Sequence, residues 1–283
     1  MSTPSNPQSG LTIAKRLAPL ALMPLNPKPA GVFFDIDDTF TQDGLLMPDA
    51  LAALHAWQTS GRLAVAVTGR PAGWCDHIAR MWPVDAVVGE NGAFWFRYLR
   101  KERRMRRRFM QDDATLIANR KRFDAIARSV MQAEPLVALS ADQAWRACDL
   151  AIDFAEDVQT DGLACADRVA KLLRAAGMNV KISSIHVNAW FGNHDKLSTS
   201  MLMAEEEFGI NAISLAREHL YLGDSPNDAP MFGFFDRSIG VANVLAYGDR
   251  VSPLPAYVCR AESSQGFAEA LAHAIQPSAA HRD

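Results

Sequence analysis

Cysteine is scarce: only four of the 283 residues (Cys75, Cys148, Cys165, Cys259), and no two of them spaced as C-x-x-C. That excludes a disulfide frame and a thiolate zinc site, and suits reduced thiols in a cytoplasmic protein. The seven histidines form no H-x-x-x-H or H-E-x-x-H pattern, so a histidine-built metal site is not expected. No run approaches the roughly 18–20 apolar residues of a membrane span. Net charge is only −3, too small for a protein held on nucleic acid by bulk electrostatics. The apolar stretch after Lys15-Arg16 faintly resembles a secretory leader, but Pro19 and Pro24 interrupt it and no small-residue cleavage site follows. Residues 1–30, rich in Pro, Ser and Asn, are expected instead to form a flexible arm with one short apolar segment on the surface. Internal repeats and low-complexity tracts are missing as well.

What remains is ordinary globular composition, 49% hydrophobic and 22% charged, long enough for one large domain or two smaller ones. The stretch that organises it is Gly31-Val-Phe-Phe-Asp35-Ile-Asp37-Asp38-Thr39. An apolar, β-favouring run ending in carboxylates reads as a buried parallel strand with its acids at the carboxyl end, where open α/β sheets place their chemistry. Period two would send Asp35 and Asp37 to one side, a costly pairing unless a cation or a shared proton compensates. A helix from Pro48 to Trp57 follows, stopped by Gly61. Next come a strand at Leu63–Val67 ending in Thr68-Gly69-Arg70-Pro71, a helix to about Arg80, and a strand at Asp85–Val88 ending in Gly89-Glu90-Asn91-Gly92. This rhythm means a parallel sheet with right-handed crossovers.

The rhythm then breaks. Ala93–Tyr98 and Met105–Met110 read as a hairpin, Asp112–Met131 as a long helix, and Trp145–Phe154 and Asn179–Phe191 as antiparallel strands around a helix at Asp161–Ala176. Alternation resumes with a helix opening at Asp195-Lys196, then a strand at His219–Leu222 that delivers Gly223-Asp224-Ser-Pro-Asn227-Asp228. A short helix (Ala229–Phe235), strands at Ser238–Val241 and Ala256–Cys259, and a helix at Gln265–Ile275 close the chain.

If the sheet is parallel, Asp35/Asp37, Thr68 and the Asp224 cluster share one edge, faced by Lys196 on its helix start. Such a set suits phosphoryl transfer, which needs positioning and charge stabilisation more than elaborate covalent chemistry. Carboxylates of Asp35 and Asp224 with a backbone carbonyl offer the hard oxygens Mg²⁺ prefers, and Lys196 with the Thr68 hydroxyl would hold phosphoryl oxygens.

These four segments, in order, resemble the haloacid dehalogenase-like (HAD) hydrolase superfamily. Asp35-Ile-Asp37-Asp38-Thr39 matches its D-x-D-x-[TV] motif, Thr68 its Thr/Ser motif, Lys196 its basic motif, and Gly223-Asp224-Ser-Pro-Asn227-Asp228 its G-D-x-x-N-D motif. The Thr-Gly-Arg-Pro and Glu-Asn-Gly-Ala segments, with a large insertion, look like the C2-cap subfamily IIB, which holds Cof-type sugar phosphatases, sucrose- and trehalose-phosphate phosphatases and phosphomannomutase. The resemblance implies a doubly wound, Rossmann-like core at about 31–110 and 192–276. It also implies an inserted α+β cap at 111–191 that closes over the core as a mobile lid, and a tail at 277–283. It makes Asp35 the nucleophile of an aspartyl-phosphate mechanism and Asp37 the general acid/base, whose carbonyl also binds Mg²⁺. It makes Asp224 a direct metal ligand, completed or oriented by Asp228 and Asn227. Gly69, Arg70 and Asn91 join Thr68, Lys196 and Asn227 as phosphate-binding candidates. Two positions depart from the pattern: Asp38 stands where Gly is frequent, and Lys196-Leu where many relatives have Lys-Gly.

The expected activity is Mg²⁺-dependent hydrolysis of a small phosphorylated metabolite, with a sugar phosphate as the expected substrate and no nucleic-acid or membrane partner. A phosphomutase would use the same intermediate. A phospho-accepting regulator also combines Asp, Thr and Lys, but such domains are short and uncapped. Singly, each residue has a plainer reading: Thr68 as a helix cap, Lys196 as a solvated helix lysine, Arg70 as a loop brace, Asn91 as a turn residue. The basic run Arg97–Arg108 reads as the solvated face of a hairpin. Trp190, Phe191 and Asn188 read as packing residues where the insertion returns to the core.

Overall fold

The computed structural model describes residues 17–275. A nine-stranded sheet runs through it. At its middle lies β2 (Gly31–Phe34), buried along its whole length. On one side follow β3 (Leu63–Val67), β4 (Ala86–Gly89), β5 (Phe94–Leu99) and β6 (Arg104–Phe109). On the other lie β11 (His219–Gly223), β12 (Arg237–Gly240), β13 (Tyr257–Val258) and the two-residue edge strand β1 (Ala18–Pro19). Every pairing from β1 across to β4 is parallel, and β5 and β6 add an antiparallel hairpin. The chain leaves β2 for β3 on one flank and returns as β11 on the other, so the switch point of the sheet lies beside β2. In open α/β sheets the crevice forms there, at the carboxyl ends.

Successive side chains on these strands face opposite layers. Val32, Phe34, Ala64, Ala66, Leu220 and Leu222 pack against α1 (Pro48–Thr59), α2 (Ala72–Met81) and α8 (Ser263–Ile275), through Leu54, Trp57, Ile78, Phe267 and Leu271. Phe33, Val65, Val67 and Tyr221 pack the other way, onto Met203, Leu215, Met231 and Phe232. Those four come from α5 (Lys196–Phe208), α6 (Ala212–Glu218) and α7 (Ala229–Phe234). Two apolar layers on one sheet explain why its strands read as continuous hydrophobic runs. Each fully buried Leu or Phe in them is worth roughly 1.5–3 kcal/mol.

A second sheet, ordered β7 (Ala138–Leu139), β8 (Leu150–Asp153), β10 (His186–Trp190), β9 (Asn179–Ile182), is wholly antiparallel. Val187 and Ala189 on β10 face Phe123, Ala127 and Val130 of α3 (Asp113–Ala133) and Val169, Ala170 and Leu173 of α4 (Leu163–Ala175). By the same alternation His186 and Asn188 turn toward the large sheet. The expected strand at Trp145–Phe154 is shorter, because residues 143–145 form a 3-10 turn. Asn179–Phe191 is two strands, reversing where Ser183 N donates to His186 O at 2.9 Å. Helix α6, capped by Asn211, and strands β1 and β7 are absent from the sequence reading. Residues 17–30 lie closer than a loose arm would, with Leu17, Leu20 and Met23 buried and β1 paired to β13. The rest of the expected arm, 1–16, and the expected tail lie outside the described residues. Among those described, no helix is long and apolar enough to cross a membrane.

Candidate active site

Strand β2 ends at Phe34, and the next residue is Asp35, 4% exposed, its N–H donating to Leu222 O at 2.9 Å. Strand geometry therefore does not extend to Asp37, and Asp38 takes a left-handed φ of 55° in the turn that follows. Asp35 and Asp37 still line one small cavity, with Gly69, Arg70, Ser225 and Asn227 from the large sheet and Ser183, Ser184, His186 and Asn188 from the small one. Its volume is about 10 Å³, room for one water.

Lys196, the first residue of α5, is held at that point by its neighbour Asp195, which caps the helix through Ser198 N at 2.7 Å. Its Nζ donates to Asp35 Oδ1 at 2.7 Å and to Asp228 Oδ1 at 2.8 Å. Asp228 also accepts from the Tyr221 hydroxyl at 2.6 Å and, at its other oxygen, from the backbone N–H of Asp224 and Ser225. Thr39 donates to Asp224 Oδ1 at 3.3 Å, whereas Asp224 Oδ2 is buried with no hydrogen-bond partner. Oxygens of Asp35, Asp224 and Asp228 lie within 4.8 Å of one another. Two of the three clustered, buried carboxylates thus share one ammonium. Burial pushes the Asp35 carboxyl up, with Asp228 and Asp37 adding to the rise and Lys196 opposing it. Asp224 rises well above the usual carboxylate range by burial and then by Asp228 and Asp35. Burial would lower Lys196, but Asp228 and Asp35 more than reverse it. An all-oxygen set with surplus negative charge and one unpartnered oxygen fits a hard divalent cation such as Mg²⁺.

Thr68 is fully buried at the end of β3, and its hydroxyl accepts from Arg70 N at 3.0 Å, which braces the turn before α2 and does not cap that helix, whose N-cap is Pro71 with no side-chain bond. Asn91, at φ 54°, donates its N–H to Thr68 O at 3.0 Å. The Asn91 amide nitrogen has no partner and sits beside Gly69, where a side chain would meet it at 3.2 Å. Asn227 accepts from the Ser225 hydroxyl at 2.8 Å. Arg70 is already engaged: it chelates Asp37 at 2.9 and 3.0 Å, meets Glu156 at 3.0 Å, and lies 3.7 Å from Asp142.

Several residues beside the site have no motif to announce them, apart from Glu90, which opens the Glu-Asn-Gly-Ala segment. Glu156 joins Arg70 to His186, whose Nε2 is 2.9 Å away. Asn188, read from sequence as packing, is buried, donates to Asp149 Oδ2 at 3.1 Å, and lines the cavity. Glu90 is fully buried and takes N–H groups from Ala72 in one layer and from Ala147, Cys148 and Asp149 beside the small sheet, at 2.5–3.1 Å. Burial raises its carboxyl and Asp149 adds to this, against Arg146 and the backbone donors. Four donors and no acceptor around its oxygens make the ionised form the one this pocket suits. Arg146 completes the seam, donating to Gly69 O at 2.9 Å and pairing with Asp142 and Asp149.

Comparison with solved structures agrees with this architecture. A protein from Thermoplasma acidophilum superposes at a TM-score of 0.65 with 17% identity, over 87% of this chain and 98% of that one. Sucrose-phosphatase from Synechocystis sp., solved with sucrose and phosphate, superposes at 0.60 with 15% identity, over 89% of this chain and 100% of that one. A HAD subclass IIB sugar phosphatase superposes at 0.56 with 14% identity, over 86% and 98%. No family model and no curated protein matches the sequence. At these identities the likeness is one of fold: the chain has the HAD fold, a Rossmann-like sheet with an inserted cap.

Proposed function

We propose that the protein is a Mg²⁺-dependent phosphatase that hydrolyses a small phosphomonoester, a sugar phosphate in the first instance, through an aspartyl-phosphate. The observation that carries this reading is the convergence of Asp35, Lys196, Asp224 and Asp228, with one Asp224 oxygen left without a partner. Asp35, Asp224 and Asp228 would hold the cation, with the Asp37 carbonyl, and the bound ion would neutralise phosphoryl charge.

The chain's own residues do the rest. Lys196 fixes Asp35 Oδ1, leaving Oδ2 to attack phosphorus. The P–O bond to the leaving group breaks as the bond to Asp35 forms, and Asp37 gives its proton to the departing oxygen. Water then attacks the same phosphorus while Asp37 takes one of its protons, the Asp35–phosphorus bond breaks, and inorganic phosphate leaves. Splitting one difficult displacement into two is the gain of covalent catalysis. The Thr68 hydroxyl accepts from Arg70 N, so its own proton is free for a phosphoryl oxygen, beside Gly69 and the Asn91 amide. Arg70 has to release Asp37 for that residue to reach the leaving group. The sugar phosphate is supported by the fold shared with sucrose-phosphatase and by the second sheet over the site, which leaves little room for a macromolecular ester.

The test is hydrolysis of p-nitrophenyl phosphate. Turnover should require Mg²⁺, stop with EDTA, and vanish in Asp35→Asn while the variant keeps its melting behaviour. Retained turnover in Asp35→Asn removes the nucleophile, and metal-independent turnover removes the cation.

A further inference from the structure

The small cavity at Asp35 opens into a cleft of about 780 Å³ between the two sheets, sharing Asp37, Arg70 and Ser184 with it. A leaving group attached to a phosphoryl at Asp35 has this cleft to occupy. Its wall carries five carboxylates, Asp37, Asp38, Asp43, Glu156 and Glu262, against the single cation Arg70. That cation is already engaged by Asp37, Glu156 and Asp142, and on releasing Asp37 it keeps Glu156 at 3.0 Å and Asp142 at 3.7 Å. The remaining polar wall is amide and hydroxyl, including Gln42, Asn243 and Tyr247.

Two readings of this acidity separate on geometry. A second metal ion would need three ligand atoms close together, and among the described residues only Asp35, Asp224 and Asp228 meet that condition. The wall acids are therefore spread around the cleft. Asp224 also lines an adjoining lobe with Asp38, Asn243, Tyr247 and Glu262, which ties this wall to the catalytic end. Dispersed acceptors, amides and hydroxyls can hydrogen-bond a hydroxyl-rich molecule from many directions, whereas any second anionic group inside must face carboxylates with no free cation.

Resting on the phosphatase reading above, we propose that this cleft selects substrates by charge. It takes an uncharged, hydroxyl-rich leaving group and rejects one that carries a second phosphate or a carboxylate. Like-charge juxtaposition at a partly desolvated wall suppresses the wrong ligand more than it improves the right one. The reading also sets the protein apart from a mutase dependent on a bisphosphate activator, which would have to lodge its second phosphate against this wall.

The experiment uses sorbitol phosphate and phosphogluconate, esterified at the same terminal carbon and differing at the other end by a hydroxymethyl against a carboxylate. Each competes against p-nitrophenyl phosphate, so each reports an inhibition constant whether or not it is turned over. Phosphogluconate should bind on the order of tenfold more weakly, and added salt should shrink the gap. In Asp43→Asn/Glu262→Gln the gap should narrow severalfold; both residues are exposed, so the fold tolerates the change. Inhibition constants within twofold in the parent, a gap unmoved in the variant, or no competition by either ester overturns charge selection while aryl phosphate hydrolysis stands. Failure to hydrolyse the aryl phosphate overturns the phosphatase reading instead.

Discussion

Replacing Lys196 by Met keeps the stem and removes the charge that binds the site together. At an effective dielectric of about 20, contacts of 2.7 and 2.8 Å each represent about 6 kcal/mol of gross attraction. Desolvation of three ions offsets most of it, and removing one partner from such a buried network leaves a net loss of about 3–5 kcal/mol. In a chain of this length that is a fall of roughly 6–10 °C in Tm. The loss has a signature that a simple packing defect lacks. Without the ammonium, Asp35 and Asp228 face each other and Asp224 with no counter-charge, and the Asp35 and Asp224 carboxyls, already raised by burial, rise further. A group raised in the folded state above its unfolded value costs stability at high pH, and the cost is relieved as pH falls through the folded value. With Asp35 already pushed up to about 8 in the parent, the deficit of Lys196→Met should be largest above pH 8 and shrink as pH falls through that value, and Mg²⁺ should restore part of the loss at pH 9. Melting curves of parent and variant between pH 6 and 9.5, with Mg²⁺ and with EDTA, measure all three. Turnover should fall by about 10²–10³-fold, the usual cost of removing one positioned charge or donor. A deficit under about 1 kcal/mol, or one that pH does not move, would refute the account, since an unpaired buried pair costs several times that.

Other perturbations probe other parts of the molecule. For a cation bound only by the folded chain, saturation at 100 times Kd should stabilise by about 2.7 kcal/mol, a rise of roughly 5 °C in Tm, and Asp224→Asn should abolish that rise. Burial holds the His194 imidazole down to about 4 against its ordinary 6.5. Its contribution is full above pH 6.5 and is lost as pH falls toward 4, on the order of 3 kcal/mol by linkage. His194→Phe keeps a ring stacked on Trp190, 5.7 Å away, and should flatten the stability profile in that window; an unchanged slope assigns it to other groups. Glu90→Gln turns an –NH₂ toward backbone donors and should cost about 3 kcal/mol or more in urea unfolding, a loss below 1 kcal/mol counting against the seam.

The large sheet was legible because both of its faces are covered. Gly31–Phe34, Leu63–Val67 and His219–Leu222 are apolar without interruption, and only a strand packed on two layers needs that. The elements that escaped are those whose order comes from contacts far off in sequence. Ala18–Pro19 has too few residues to show a pattern and is a strand only because Tyr257–Val258 lies beside it. The turn at Ser183–His186 carries neither Gly nor Pro, so Asn179–Phe191 reads as one run until the serine's own backbone and hydroxyl close the reversal.

The candidate site divides in the same way. The half on the large sheet sits at strand ends, where one short segment holds both the positioning element and the side chain it delivers, and Asp35, Thr68 and Asp224 stand out once their segments are taken in order, though each alone has a plainer reading. The opposing half is built from the small sheet, where period two alone decides what faces the site: Val187 and Ala189 turn to their helices and leave His186 and Asn188 to the cavity. Nothing in the residue types distinguishes a buried Asn that packs from one that faces substrate; the direction of the strand does. Glu90 makes the point most sharply. The sequence marks Glu90 only as part of the Glu-Asn-Gly-Ala segment, with no role of its own, yet it is sealed from water by four N–H groups, three of them from residues more than fifty positions away. An ion in that position is affordable only if every donor is in place, so the same contacts that hide it from sequence reasoning bind the inserted sheet to the core. The expected mobile lid therefore starts from a closed seam, and any opening has to keep Glu90 and Arg146 satisfied while the more exposed Glu156–Arg70 contact at the cleft gives way.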